Sequence, residues 1–469
     1  MHVCQRWRRI IFASPRHLDL YLGCSYGTNV RKNLVFWPAG LPLTVDYRRR
    51  RDLLYGISPD NEDDIAFALD HPRRILRIEA TVTDSLLRKV STIIQKSFPV
   101  LTHLSLSWDS HYFPTHAVIP ERFLSGSAPR LQYLRLKDFS FPQLPTFLLS
   151  ARNLVTLKFK EIPQSGYLSP EAMVRSLIVL TKLTTLSISF CENTFPPDQL
   201  TTHPNSPTRA VLPALARFHY LGRSKYLEDF LAQVDTPQLN HLRVEYFMQR
   251  IQLLEVPQLS QFIYRTENLN IDHFRHTEVA FCYGDIALTL YRSQNGRRQA
   301  PFSLTMIDED FSNMHVPCVV HVLDQLVAMF SKVDHLTVLE DHVLSMELDI
   351  AAEWLSFFRL FPAAEVLHST GRASAHIASA LEYTTLDTAD PEVMVTNVFP
   401  ALYLMWLDET SAGASCDCES TCMGTVPVPV ESIQGFLSSR QLSGRPVTFV
   451  DTQDKFSEAD RKPLYSGVA

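Results

Sequence analysis

A leucine pattern that recurs along the chain is the feature that most restricts its fold. The pattern is L-x-x-L-x-L, usually led by a proline, an alanine or a polar turn residue. Nine tolerable copies stand at 98–106, 128–136, 151–159, 180–188, 212–220, 236–244, 256–264, 330–338 and 399–407, with a decayed copy at 361–369. The leading leucines of the first seven copies follow one another at steps of 20 to 32 residues. Because L-x-x-L alone occurs by chance in many helices, the number of copies and their turn residues carry the argument.

The spacing of the leucines has a direct structural meaning. The last two apolar positions of each copy alternate, as in a strand with one buried face, and the first leucine packs beneath that strand. Such a unit cannot bury its own apolar face, whereas a stack of units can. Leucine-rich repeats run to about 20–29 residues, so this array is close to them but irregular. We therefore expect an α/β fold: a degenerate leucine-rich-repeat solenoid of roughly ten strands, in which a curved parallel sheet has helices and loops on its convex side.

The segments between the copies predict helices. A helix is expected over 84–97 with Asp84 as its N-cap, and another over 170–183 with Ser169 as N-cap and Pro170 at its first position. Further helices are expected over 227–234, 319–330 and 354–358. The segment 265–310 interrupts the rhythm, and we expect two strands there around a turn at Asn295-Gly296. Only Cys191 occupies the position after a strand where such repeats usually carry an asparagine.

Length and charge exclude several classes of protein. The 469 residues, 45% of them hydrophobic, exceed one ordinary globular domain but suit a repeat array, which grows without closing a single core. A net charge of -6 gives no basic excess, so no nucleic-acid partner is expected. No apolar stretch reaches the roughly 18–20 residues of a membrane span, and the N-terminus has no signal-peptide pattern. We expect a cytoplasmic or nuclear protein without a membrane partner.

The chain shows little chemistry of the kind that enzymes use. None of the common nucleophile, zinc-protease, dinucleotide or P-loop motifs occurs in it. The sharpest cluster is Cys416, Cys418 and Cys422, whose spacing is not that of a standard zinc site. An oxidisable loop is the stronger interpretation of these thiols, and a soft-metal site is the alternative. We expect no enzyme activity, no cofactor and no metal.

The first residues add a resemblance to a known family. V-C-x-x-W-R-R-I, followed by ASPRHLDL, resembles the last helix of an F-box and the segment that joins it to its repeats. The similarity continues through GTNVRKNLVFWPAGLPLTVDY at 27–47, the repeats and RQLSGRPVTFVD at 440–451. This order of segments, which covers nearly the whole chain, resembles the expanded F-box-like proteins of mushroom-forming fungi.

The resemblance implies a function and a partner. A member of this family would be a substrate receptor of a Skp-cullin-F-box ubiquitin ligase, binding the Skp-family adaptor through its F-box and a target through its repeats. The implied adaptor-binding residues are Val3, Cys4, Trp7, Arg8 and Ile11. The chain departs from the family in lacking the leading L-P-x-E-[IL] segment. The alternatives are therefore an interaction scaffold without a ubiquitin role and a first helix that only caps the repeats.

The predicted organisation follows from these observations. Residues 1–22 are expected to be the remnant of the F-box, residues 23–451 the degenerate repeat domain, and residues 452–469 a flexible tail. An unknown protein target is expected to contact outward-facing strand residues between the leucines. The candidate target-binding residues are His103, Gln132, Arg135, His241 and Arg243.

Overall fold

The chain divides into two compact units of mixed α/β structure. The computed structural model describes residues 4–6, 10, 20–23, 30–37, 40–47, 59–109, 116–191, 209–249, 251–269, 274–282, 285–294, 297–308, 316–340, 351–371, 373–386, 398–408 and 430–451. Unit 1 comprises Met1–Tyr220 and Ala232–Leu239, and unit 2 comprises Leu221–Leu231 and Asn240–Ala469.

Unit 1 is built on parallel strands with helices between them. Its strands are β1 (Leu20–Gly23), β2 (Leu43–Tyr47), β3 (Ile75–Val82), β4 (His103–Trp108), β5 (Ala117–Val118), β6 (Tyr133–Lys137), β7 (Phe139–Ser140), β8 (Thr156–Ile162), β9 (Thr185–Phe190), β10 (Ala210–Val211), β11 (Arg217–Gly222) and β12 (Val234–Asp235). Its helices are α1 (Val30–Phe36), α2 (Pro59–Leu69), α3 (Asp84–Val90), α4 (Leu144–Ser150) and α5 (Pro170–Leu177). The main sheet runs β1-β2-β3-β4-β6-β8-β9-β11, while β5 pairs with β7 and β10 with β12 in two small sheets.

Unit 2 repeats this architecture with one insertion. Its strands are β13 (His241–Gln249), β14 (Phe274–Cys282), β15 (Asp285–Gln294), β16 (Arg297–Asp308), β17 (His335–Glu340), β18 (Val366–Gly371), β19 (Leu404–Asp408) and β20 (Thr448–Asp451). Its helices are α6 (Ser224–Leu231), α7 (Pro257–Arg265), α8 (Val316–Asp324), α9 (Ala351–Phe358), α10 (Ala373–Leu386) and α11 (Val430–Leu442). The sheet order is β13-β16-β15-β14-β17-β18-β19-β20.

Each repeat begins with the same turn. The backbone N–H of the leading leucine donates to the carbonyl three residues earlier, as in Leu131 to Ala128 (3.1 Å) and Leu154 to Ala151 (3.0 Å). The decayed copy keeps this bond, from Ala364 to Phe361 at 3.1 Å, and continues into β18. The leading leucines of the first six copies, Leu101, Leu131, Leu154, Leu183, Leu215 and Leu239, are all buried. The pattern therefore does form parallel strands over a leucine core, as the sequence predicts.

Residues 256–264 are not a repeat strand, and that prediction was wrong. Pro257 to Arg265 form the helix α7, with Leu259, Phe262 and Ile263 buried at helical spacing. A proline at the first helical turn costs no hydrogen bond, and the burial period here is 3.6 residues instead of two. Leu259 and Phe262 fit both the strand and the helix pattern, but the third strand position, Tyr264, is 53% exposed, whereas Ile263 at the helical spacing is buried.

The predicted strand pair at 265–310 is in fact three strands. β14, β15 and β16 form an antiparallel meander, in which Gln294 pairs with Arg297 across the expected turn position. Because three strands alternate in direction, β16 runs parallel to β13 and β14 runs parallel to β17. Only β15 opposes the array, so the sheet of unit 2 is mostly parallel.

Two predicted helices also need corrections to their boundaries. Thr83, and not Asp84, caps α3, because the Thr83 hydroxyl accepts the backbone N–H of Leu86 at 3.1 Å. The helices α3 and α5 end at Val90 and Leu177, seven and six residues before the predicted ends. Ser169 caps α5 as expected, through the backbone N–H of Ala172.

Cys191 occupies the position predicted to replace the usual asparagine. Its thiol donates to the carbonyl of Glu161 at 3.1 Å, and its backbone N–H donates to the carbonyl of Ile162 at 3.0 Å. Both bonds run to the last two residues of β8, so Cys191 links the ends of two successive repeat strands.

Candidate protein-binding face

The outward residues of the unit 1 strands form rows across the sheet. We use the name polar face for the strand residues that alternate with the buried apolar ones. Strand register aligns one row along His103, Tyr133, Thr156 and Thr185, and a second along Ser105, Arg135, Lys158 and Ser187. A third row aligns Ser107, Lys137 and Lys160. Parallel pairing thus places side chains that lie far apart in sequence about 4.8 Å from one another, strand to strand.

Four cations lie close together on this face. The cationic cluster consists of Arg135, Lys158, Lys160 and Arg217. Within the described part of the chain, no carboxylate lies within ion-pair distance of any of them. The Arg135 Nε is buried without a hydrogen-bond partner, and the Arg217 Nε reaches the hydroxyl of Thr185 at 3.3 Å.

The electrostatics of Lys158 show that the four charges influence one another. Burial lowers the pKa of Lys158, and the neighbouring charges of Lys160, Arg135 and Arg217 lower it further. All three neighbours disfavour the ammonium because like charges repel in a partly desolvated site. The cluster is therefore a region of positive potential that the described part of the chain does not neutralise.

Several charged residues of the same unit outside the cluster are paired. Arg77 contacts Glu79 at 2.7 Å on β3, and Lys137 contacts Glu161 at 2.9 Å beside the cluster. Lys137 is therefore not counted as a member of the cluster, although it shares a row with Lys160. The positive potential is concentrated on β6, β8 and β11.

Tyr133 is enclosed by two neighbours on the polar face. Its ring stacks on His103 from β4, with centroids 5.9 Å apart and planes 21° apart. From the other side, on β8, the Lys158 ammonium lies 5.8 Å from the Tyr133 centroid, within cation–π range. Both sides of the Tyr133 ring are thus in contact with side chains of the neighbouring strands.

The polar face of unit 2 has a different chemistry. His276 on β14 stacks on His335 of β17, with centroids 6.1 Å apart, and meets Tyr291 of β15 edge-on at 5.2 Å. Further along, His368 on β18 meets Trp406 on β19 edge-on at 5.8 Å. This face is lined by imidazoles and aromatic rings.

The predicted target-binding residues fall into two sets. His103 and Arg135 lie in the aligned rows of unit 1, and Gln132 is exposed one residue before β6. His241 and Arg243 lie on β13 of unit 2, where the Arg243 Nε contacts the carboxylate of Glu245. The structure thus brings His103 and Arg135 onto one face, and it leaves Arg243 already paired.

The remaining predicted residues are covered only in part. Of the implied adaptor-binding set, Cys4 is exposed, whereas Val3, Trp7, Arg8 and Ile11 lie outside the described residues. Cys416, Cys418 and Cys422 also lie outside them. Among the residues that the structure describes, no group of His, Cys, Asp or Glu is arranged to hold a metal ion, and no helix is long and apolar enough to cross a membrane.

Sequence reasoning missed Lys158, Lys160 and Arg217. All three follow from the same alternation rule that indicated Arg135, applied to TLKFK at 156–160 and RFHY at 217–220. The signal was present in the copies, but one strand alone does not show that charges from β6, β8 and β11 converge. Their convergence depends on register, which a sequence pattern leaves open.

Comparison with known proteins gives a distant likeness to solved structures. No known protein family and no curated protein matches this chain. Among solved structures, it is similar to the leucine-rich repeat-containing protein LegL7 of Legionella pneumophila, with 11% sequence identity, 96% of each chain covered and a TM-score of 0.29. A likeness at this level carries no argument about function, so the function has to be inferred from the residues of the polar face themselves.

Proposed function

We propose that this chain is a protein-binding scaffold of the leucine-rich-repeat type. The proposal rests on the alternation of buried apolar and outward polar side chains within each strand. Leu134 and Leu157 are buried in the core, while Arg135 and Lys158 between the buried positions face outward in register. Stacked repeats of this kind provide extended binding surfaces. The proposed scaffold holds a protein partner and has no catalytic role.

We further propose that the scaffold is a substrate receptor of a Skp-cullin-F-box ubiquitin ligase. The support is the resemblance of the N-terminal residues to the last helix of an F-box. Two described residues of that segment suit a docking role, because Cys4 is exposed and the apolar Ile10 is 49% exposed. An apolar side chain left in solvent on a short helix is suited to a partner protein.

Binding of a purified Skp-family adaptor to the full chain tests this proposal. We expect Ile10→Asp to weaken adaptor binding by at least about tenfold in biolayer interferometry, because a carboxylate would be desolvated in an apolar interface. Ile178→Asp is the matched control, since Ile178 follows α5 in unit 1 and is also 49% exposed. This control should bind as the wild type does.

Two results would contradict the receptor role. The first is an adaptor that does not bind the wild-type chain at all, which would leave the scaffold without a ubiquitin role as the remaining function. The second is an equal loss in Ile10→Asp and Ile178→Asp, which would indicate a general effect of added charge.

A further inference from the structure

The cationic cluster has no carboxylate partner inside the described part of the fold. Elsewhere in unit 1 two lysines are neutralised by carboxylates, as Lys89 contacts Asp63 at 2.8 Å and Lys96 contacts Asp70 at 2.6 Å. Four cations on neighbouring strands, without such carboxylates, repel one another and destabilise the folded state. A feature with this cost and no carboxylate partner among the described residues is a candidate for binding something outside the chain.

The geometry brings the four charges into a single binding area. Arg135 and Lys158 are register partners on adjacent strands, and Lys160 follows Lys158 two residues along β8 on the same face. Arg217 lies beyond β9 and is linked to it through Thr185. Strands about 4.8 Å apart keep neighbouring charges within roughly one Debye length, about 8 Å at physiological salt.

The strand between these cations has small hydroxyl side chains. β9 carries Thr185, Ser187 and Ser189, flanked by β8 with its lysines and β11 with Arg217. Ser187 and Ser189 are only 4% and 6% exposed. The Thr185 hydroxyl accepts from Arg217 and the Ser187 hydroxyl lies 3.3 Å from the His219 Nδ1, so these short side chains form a polar floor that leaves an anionic group room beside the longer cationic ones.

We propose that the cationic cluster binds an extended acidic segment of the protein partner, through carboxylate or phosphoserine side chains. This inference rests on the proposed function, namely that the polar face holds a protein. Arginine forms two parallel hydrogen bonds to a carboxylate or a phosphate, and lysine adds an adaptable point charge. An extended peptide presents every second side chain to one side, so alternate acidic residues would all face the cluster.

A single-stranded nucleic acid fits the face less well. Proteins that bind it without base-edge readout stack successive bases on exposed aromatic rings. The aromatic ring on this part of the face, Tyr133, already contacts His103 on one side and Lys158 on the other. A base could stack on it only by displacing one of them, and the net charge of the chain is -6.

A fluorescence-anisotropy titration of the full chain tests the proposal. The probe is a fluorescein-labelled Ser-Glu repeat of about ten residues, in which alternation places the carboxylates on one side. The comparison probes are a Ser-Gln repeat, a phosphoserine-Gln repeat and a single-stranded polyuridine. We expect the two anionic peptides to bind at least about tenfold more tightly than the Ser-Gln repeat, with an affinity that falls as salt rises.

Variants locate the binding on the face. Lys158→Glu combined with Lys160→Glu should lower the affinity for the Ser-Glu repeat by at least about tenfold and create binding to a Ser-Lys repeat. The matched control is Arg152→Glu, an exposed arginine just before β8 that makes the same change of charge per site. Circular dichroism should show the same folded content for every variant, and the gain of Ser-Lys binding cannot come from unfolding.

Three results would overturn the proposal. They are equal binding of the Ser-Glu and Ser-Gln repeats, an equal loss in Arg152→Glu and the double variant, and a preference for polyuridine over every anionic peptide. The adaptor experiment separates this proposal from the proposed function. Adaptor binding without peptide discrimination rejects the acidic-segment site alone, whereas peptide discrimination without adaptor binding rejects the receptor role alone.

Discussion

The two units share one repeat and differ in what they place on its polar face. Unit 1 presents Arg135, Lys158 and their neighbours without carboxylate partners among the described residues, whereas unit 2 presents His276, His335 and Trp406 in ring contacts. Most inward positions of both units are apolar and buried, while Thr277, Glu340 and Ser369 are buried polar exceptions in unit 2. We therefore expect the proposed binding specificity to lie in the outward positions, which the core does not constrain.

The units also differ in how they use carboxylates at helices. In unit 1, the Lys89 and Lys96 side chains hold the pKa values of Asp63 and Asp70 below their usual range. In unit 2, burial raises the pKa of Glu228 to about 7, although the backbone N–H groups of Gln258 and Leu259 donate to it. Acidification should thus weaken unit 1 and strengthen unit 2 through these groups.

The largest expected effect concerns the leucine core that is present in each unit. Leu157→Ala in unit 1 and Leu367→Ala in unit 2 each remove a fully buried side chain, and each should cost about 2–5 kcal/mol in urea unfolding. Leu149→Ala, at an exposed position of α4, should cost under about 0.5 kcal/mol and serves as the control. A cost below about 1 kcal/mol at only one of the two core sites would show that the units do not share the same core.

The next effect tests the contrast between the carboxylates. The native pKa of Glu228 is raised from 4.5 to about 7, so between these pH values the folded chain keeps a proton that the unfolded chain loses. Its contribution to stability is complete below pH 4.5 and is lost as the pH rises through 7, by up to about 3 kcal/mol. Glu228→Gln should remove this decline in thermal-unfolding scans across the same pH range.

Glu267→Gln, which removes an exposed carboxylate of the same unit, is the control for that measurement. A decline with pH that persists in Glu228→Gln would assign the effect to other groups. A decline that disappears equally in both variants would mean that Glu228 plays no special part.

The smallest expected effect tests whether the two polar faces differ in anion binding. Arg243→Glu reverses a charge in unit 2, but this guanidinium already contacts Glu245. We expect the affinity for the Ser-Glu repeat to change by less than about twofold, against at least about tenfold for the double lysine variant. An equal loss in both would show that the paired arginine of unit 2 contributes as much as the two lysines of unit 1 that have no carboxylate partner, and the contrast between the faces would fail.

Features that depend on nearby residues could be predicted from the sequence, whereas features that depend on distant residues could not. The copies at 98–106, 128–136 and 151–159 predict β4, β6 and β8, because alternation of apolar residues is a local property. The copy at 256–264 failed because Leu259 and Phe262 fit a helix as well as a strand, and the third buried residue is Ile263 at helical spacing. Its N-terminus is satisfied by Glu228 on another helix, a partner that no local pattern indicates.

By itself, the sequence determined the core of this protein. It shows which leucines are buried, where the turns begin, and that parallel strands alternate with helices. Burial depends on residue type and on the spacing of apolar residues, and both can be taken directly from the sequence. Only the tertiary structure decided the outward half. Strand register placed Lys158 beside Arg135, and it placed Tyr133 between His103 and Lys158. It also brought Glu161 into ion-pair contact with Lys137. Whether a charged side chain is paired depends on its neighbours on adjacent strands, and those neighbours come from repeats that lie 20 to 32 residues apart in sequence.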